Sequence, residues 1–192
     1  MQLVLASTSR FRRELLARTG LQFHCVAPLC DETPLAHETA AATAQRLAAN
    51  KAASLRAHYP QALIVGSDQV ASLDGKHLGK PDNLEHAHTM LRALSGRALV
   101  FYTALTLLDS ARNTQQHALD VTTVHMRHYN DAHISRYLAR EPDALYCAGS
   151  CKSEGLGSVL IERIESTDPN ALIGLPLLTL TGWLLNADIE IL

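Results

Sequence analysis

Apolar residues fall along this chain in short runs separated by polar turns, and the period of the runs changes. Residues 2–6 (QLVLA) are continuous enough in apolar character for a buried strand. Ser7-Thr8-Ser9 follows and opens a helix over 12–18, with Ser9 as its N-cap and Gly20 as its stop. Residues 22–27 alternate and read as a second strand. From 38 to 58 the chain is rich in alanine, with Leu47, Lys51 and Leu55 four apart, which predicts a long helix ended by Pro60.

The most apolar strand, 62–65, runs into Gly66-Ser67-Asp68-Gln69, resumes over 70–73 and turns at Asp74-Gly75. Helices are expected over 84–94 and 130–140, the latter capped by Asn130. Two long β-rich segments, 98–108 and 116–128, lie between them, and a short strand over 159–164 comes later. The stretch 171–185, opened by Asp168-Pro169-Asn170, reads as one buried helix. It is too short for the ~20 residues of a membrane span and contains Pro176. Helices alternate with strands early and a long hairpin sits in the middle, which predicts an α/β fold with a mixed sheet. No repeat or linker divides residues 1–192, so a single domain is expected.

Composition narrows the partners. A formal charge of −2 over 192 residues offers no broad basic field, so no duplex nucleic acid partner is expected. The N-terminus lacks the charged start and apolar core of a signal peptide, and the expected setting is cytoplasmic. The four cysteines form no CxxC pair and read as reduced thiols; the ten histidines show no metal-ligand constellation.

Four segments could carry chemistry. Ser7, Ser9, Arg12 and Arg13 stand at a strand-to-helix junction, where free backbone N–H groups, hydroxyls and guanidinium groups suit a phosphate; the same segment also reads as a capped helix with solvated arginines. Asp68 follows the apolar strand in a position suited to a base or a metal ligand, or to a turn. Lys80, in Gly79-Lys80-Pro81, offers a point charge for phosphate or a surface turn. Glu154, among Gly155 and Gly157, offers two acceptor oxygens to a base edge or belongs to a charged loop. Glu32 and Lys51 add a carboxylate and a cation, and carboxylates gathered near a triphosphate suit Mg²⁺ or Mn²⁺.

In order along nearly the whole chain, LASTSRFRRELL, DET, the NKA around Lys51, GSDQV, GKP, LSG, CAGSCKSEGLG and DPNALIGLPL resemble the motifs of the Maf family of nucleotide pyrophosphatases. The resemblance implies an elongated mixed sheet flanked by helices, in two lobes with a central cleft, similar to the inosine-triphosphatase architecture. It implies hydrolysis of a nucleoside triphosphate to a monophosphate and pyrophosphate with a divalent cation, and a homodimer. It implies Asp68 as proton acceptor, Glu32 with Asp68 as metal ligands, and Ser9, Arg12, Lys51 and Lys80 as phosphate contacts. Phe11, Gln69 and Glu154 then set base preference. These residues are similar to those of the YceF-like branch, whose implied substrate is 7-methyl-GTP, where the other main branch has Arg, Thr and Gln and prefers dTTP and UTP. The chain departs from the family at Arg10, where a proline is usual. Two rival readings are a pyrimidine nucleotide (dTTP or UTP) pyrophosphatase of the same family and a non-catalytic nucleotide-binding regulator tied to cell division.

Overall fold

The computed structural model describes residues 1–192. Its strands are β1 (Gln2–Ala6), β2 (His24–Val26), β3 (Ala62–Leu73), β4 (Lys76–Leu78), β5 (Ala98–Asp109), β6 (Thr114–Met126) and β7 (Ile161–Glu165). Its α-helices are α1 (Arg10–Ala17), α2 (Ala40–Ser54), α3 (Leu84–Leu94), α4 (Asp131–Arg140) and α5 (Leu177–Asn186). The strands form one mixed seven-stranded sheet in the order β2-β1-β3-β5-β6-β7, with β4 pairing the far end of β3. The 12 residues of β5 and 13 of β6 span about 40 Å at strand rise, so the sheet is long.

Length lets the sheet support separate cores. At one end Leu91 and Leu94 of α3, Ile134 and Tyr137 of α4, and Leu99, Phe101 and Val124 of the sheet pack together. At the other end Leu15 and Leu16 of α1 and Leu180 and Leu184 of α5 pack against Leu5, Val65 and Leu105 on one face. Ala52 and Leu55 of α2 pack against Val4 and Ile64 on the other face. All the large side chains named in these three cores are almost fully buried, which at about 25 cal/mol per Å² of apolar surface is the main stabilising term.

The strand β3 is where the ends meet. Its first residues pair in parallel with β1 as far as Val65, and its last pair with β4 from Ala71 onward. Between them, 66–70 hydrogen-bonds only to β5, leaving the other edge open. Polar Gly66-Ser67-Asp68-Gln69 occupies this gap as continuous strand, not as a strand end. Gly66 is required there because α2 crosses closely: an added Cβ would lie 2.1 Å from the Ala48 carbonyl oxygen and 2.8 Å from the Ala52 nitrogen.

Some element boundaries differ from expectation. The helix α2 starts at Ala40, because Glu38 is used outside it: its carboxylate accepts from the Arg46 guanidinium at 2.7 Å, the Thr43 hydroxyl and the Leu35 amide, while Thr39 caps the helix. The expected single helix over 171–185 is two pieces, a short 3₁₀ turn at 171–173 and α5. Gly174, at φ +123°, and Pro176 separate them. Finally, the stretch around Glu154, from 147 to 157, includes 3₁₀ turns packed against the α3–α4 core.

Candidate active site

The open edge of β3 is flanked by the segments that end its neighbours. Beyond β1, Ser7 accepts from the Ser9 amide (3.1 Å), and Ser9 caps α1 by accepting from the Arg12 amide (3.4 Å). The amides of Arg10 and Phe11 are left without a partner at the positive end of the helix dipole. Beyond β4, Lys80 is exposed and without an ion-pair partner. These residues, with Pro28, Glu32, Lys51 and Tyr146, line a cleft of about 430 Å³.

On the floor of the cleft Lys51 reaches down from α2. Its ammonium lies 2.6 Å from Asp68 Oδ1 and 2.6 Å from Glu32 Oε2. Lys51 and Asp68 are only 5% and 7% exposed, whereas the Glu32 side chain is half exposed, so the triad runs from the interior to the cleft. Arg12 completes the charge balance. Burial pulls its guanidinium below the usual arginine value, and Asp68 and Glu32 offset this. Its Nε donates to the Gly174 carbonyl at 2.8 Å, and its terminal nitrogens have no protein partner. A desolvated guanidinium with unpaired donors on a cleft wall is built to take an anion.

A second cavity, about 110 Å³, opens beside the first, sharing Ser9, Phe11, Arg12, Lys80 and Tyr146 with it. Its deeper lining includes Gln69, Glu154 and Phe101. The amide nitrogen of Gln69 faces three acceptors, Ala171 O at 2.9 Å, Leu172 O at 3.0 Å and Thr103 Oγ1 at 3.0 Å. This fixes its orientation and leaves its oxygen, which accepts no hydrogen bond in the chain, for the cavity. The 168–178 segment that supplies those carbonyls is itself held by Asp168, 3% exposed, which accepts from the Asn170 amide (3.0 Å) and the Leu178 amide (2.7 Å).

The residues expected to set base preference, Phe11, Gln69 and Glu154, therefore meet in one cavity, and Ser7, Ser9, Arg12, Lys51 and Lys80 meet in the adjoining cleft. Glu32 and Asp68 share Lys51 between them. Arg13 is not with them. One position further round α1 than Arg12, it is exposed beside Cys25 and, like the buried Asp68, lines neither cavity.

Arg10 lines the larger cleft but is tied at its wall. Its guanidinium pairs with Asp143 and stacks over the rings of Phe11 (4.7 Å) and Tyr146 (5.6 Å). Asp143 also takes the Lys152 ammonium at 2.7 Å, which ties the start of α1 to the loop that carries Glu154. Neither Tyr146, Asp143 nor Thr103 could be found from the sequence, because their roles depend on neighbours distant in the chain. All four cysteines are free. Burial pushes Cys147 and Cys151, which border the small cavity, up to about 12, so they remain thiols.

No three carboxylate, histidine or cysteine side chains converge on one point. Two hard oxygen donors, Glu32 and Asp68, do lie around one cation, the Lys51 ammonium. That donor set fits a small divalent ion whose remaining ligands are phosphate oxygens and water, and does not fit an all-protein cage.

Residues 2–187 match the family profile described as "Maf-like protein". The chain is 54% identical over 192 residues to a protein of Chromobacterium violaceum named 7-methyl-GTP pyrophosphatase, covering 100% of both chains. It is 52% identical over 190 residues to one of that name from Thiobacillus denitrificans, covering 99% of this chain and 94% of the other. It is 48% identical over 191 residues to one from Vibrio parahaemolyticus, covering 100% and 98%. The chain belongs to the Maf family. No helix is long and apolar enough to cross a membrane.

Proposed function

We propose that this protein hydrolyses 7-methyl-GTP to 7-methyl-GMP and pyrophosphate. The observation that carries this reading is the join of two cavities: a cationic cleft above Lys51, Asp68 and Glu32, and a smaller one lined by Phe11, Gln69 and Glu154. The names of the three relatives support it.

The triphosphate lies in the cleft. The free amides at the start of α1, Arg12 and Lys80 supply preorganised positive charge, which stabilises charge developing on the phosphates in the transition state. Asp68 takes the proton from the attacking water through Oδ2, which has no protein partner, while Oδ1 is held by Lys51. The bond that forms joins water oxygen to the α-phosphorus, and the bond that breaks releases pyrophosphate. Glu32 and Asp68 would hold a Mg²⁺ or Mn²⁺ ion, whose chemistry when bound is to neutralise phosphate charge.

Base preference follows from charge. Methylation at N7 makes guanine cationic and its N1–H more acidic, so the Glu154 carboxylate gains a charge-assisted hydrogen bond. Phe11 presents a ring face to the electron-poor base. The free oxygen of Gln69 accepts from the exocyclic amine. Arg10 braces Phe11 from the phosphate side, since it lines the larger cavity and not the smaller.

Pyrophosphate release with Mg²⁺ or Mn²⁺ across 7-methyl-GTP, GTP, dTTP and UTP tests this. The expected result is preference for 7-methyl-GTP. Preference for dTTP or UTP would sink the base argument, and binding without turnover would sink the enzymatic one.

A further inference from the structure

Helix α4 carries His133, Arg136, Tyr137 and Arg140 at a spacing that puts all four on one face. Across a cavity of about 360 Å³ they face Arg127, His128 and Tyr129, from the turn after β6, and Leu156, Val159 and Leu160, from the turn before β7. No aspartate or glutamate lines this cavity, and it shares no residue with the two cavities of the candidate active site.

The net charge of the chain is −2, and Arg10, Arg46, Arg92, Arg97, Arg112 and Arg163 are each tied to a carboxylate. Arg127, Arg136 and Arg140 have no ion pair, and the carboxylates nearest to them in sequence are committed elsewhere. Asp131 holds Arg92 at 2.8 Å, and Glu141 accepts from the Leu156 amide at 3.0 Å and from Lys152 at 3.4 Å. Arg136 and Arg140 lie four apart on one helix face, where like charges repel. No carboxylate of the chain pairs with either, and an anion between them would offset the repulsion.

The walls are built structure. Tyr137 is 4% exposed; its hydroxyl donates to the Ser150 carbonyl (3.2 Å) and accepts from the Lys152 amide (3.0 Å). The Arg127 amide donates to the Leu160 carbonyl at 2.9 Å. Val159, at 63% exposed, is an apolar side chain on the rim with nothing covering it.

We propose that this cavity is a second binding site, separate from the active site, for a nucleotide. The guanidinium groups of Arg136, Arg140 and Arg127 grip its phosphate, and its base lies against Leu156, Val159 and the Tyr129 ring. The volume is in the range of small-ligand pockets. A phosphate without a ring, or a ring without a phosphate, leaves half of the site unused.

Calorimetric titration of the full chain with GMP, alongside Arg136→Gln/Arg140→Gln, tests this. The wild type is expected to bind a GMP beyond the one in the cleft, and the double variant to lose that binding while keeping kcat and KM for triphosphate hydrolysis. Both arginines are exposed, so the fold should survive, and a thermal melt checks it. Val159→Glu is an independent probe that spares the arginines and should also abolish the second binding. Ribose 5-phosphate and guanosine should each bind there at least about tenfold more weakly than GMP. Unchanged GMP stoichiometry in both variants would overturn the proposal, as would ribose 5-phosphate binding as tightly as GMP. So would a single-stranded RNA that binds the wild type and not the variants while GMP never occupies the site, because the face would then be a nucleic-acid surface.

Discussion

Replacing Gly66 with alanine puts one methyl group into the closest approach between β3 and α2. The new Cβ would stand 2.1 Å from the Ala48 carbonyl oxygen and 2.8 Å from the Ala52 nitrogen, both backbone atoms that no side-chain rotation can move. Ordinary contact needs the helix to retreat by about 1 Å, and such overpacking costs roughly 1–3 kcal/mol. For a chain of this size that lowers Tm by about 2–4 °C per kcal/mol. The same retreat carries Lys51 on α2 away from Asp68 on β3, stretching a contact that is now 2.6 Å. A misplacement of about 1 Å in catalytic machinery can cost on the order of 10²-fold in rate. Denaturant unfolding monitored together with pyrophosphate release reads both effects. A Gly66→Ala protein with unchanged unfolding midpoint and unchanged turnover would refute the claim that this contact sets the site.

Other outcomes follow from single residues. Glu154→Gln replaces a charged acceptor with a neutral one and should reduce the kcat/KM ratio of 7-methyl-GTP over GTP by about tenfold, worth about 1.4 kcal/mol; an unchanged ratio removes Glu154 from base recognition. Thr103→Val takes away an acceptor of the Gln69 amide and a donor to the Ala171 carbonyl in a fully buried setting, and should destabilise by about 1–3 kcal/mol while blurring base preference. Arg46, with Thr43 and the Leu35 amide, holds Glu38 down from the usual 4.5 to about 2, and Arg10 with Lys152 holds Asp143 down from 3.8 to about 2. Folded values below unfolded ones mean that these groups stabilise fully above about pH 4.5 and lose that contribution as pH falls towards 2. In acid titrations of unfolding, Glu38→Gln and Asp143→Asn should each flatten that fall, and parallel curves for wild type and variants would contradict the assignment.

Much of the fold is legible in the chain because each element has local signals. Apolar runs mark β1 and β3, Asn130 caps α4, and Asp74-Gly75, both at positive φ, make the β3–β4 turn. Local signals mislead where tertiary demand wins. Gly66-Ser67-Asp68-Gln69 interrupts the apolar run without ending the strand, and its polar groups are used by Lys51, Gly174 and the small cavity. The 171–185 stretch is apolar enough for one helix, but the site needs the Gly174 carbonyl, which receives Arg12 and lies within reach of the Ser67 hydroxyl at 3.0 Å. The residues meeting in the two cavities were legible through motif order, whereas Tyr146, Asp143 and Thr103 were not, since nothing in their spacing announces Arg10 or Gln69 as partners. Arg13, adjacent to Arg12 in the same motif, is exposed and is not among the residues lining the cleft.

In the proposed mechanism Asp68 directs water onto the α-phosphorus of a triphosphate held in the cleft. Hydrolysis of 7-methyl-GTP in ¹⁸O-water, with both products weighed by mass spectrometry, tests it directly. Label is expected in 7-methyl-GMP and not in pyrophosphate, with the labelled product lost in Asp68→Asn. Label in pyrophosphate, or a labelled product formed at the wild-type rate by Asp68→Asn, would contradict it.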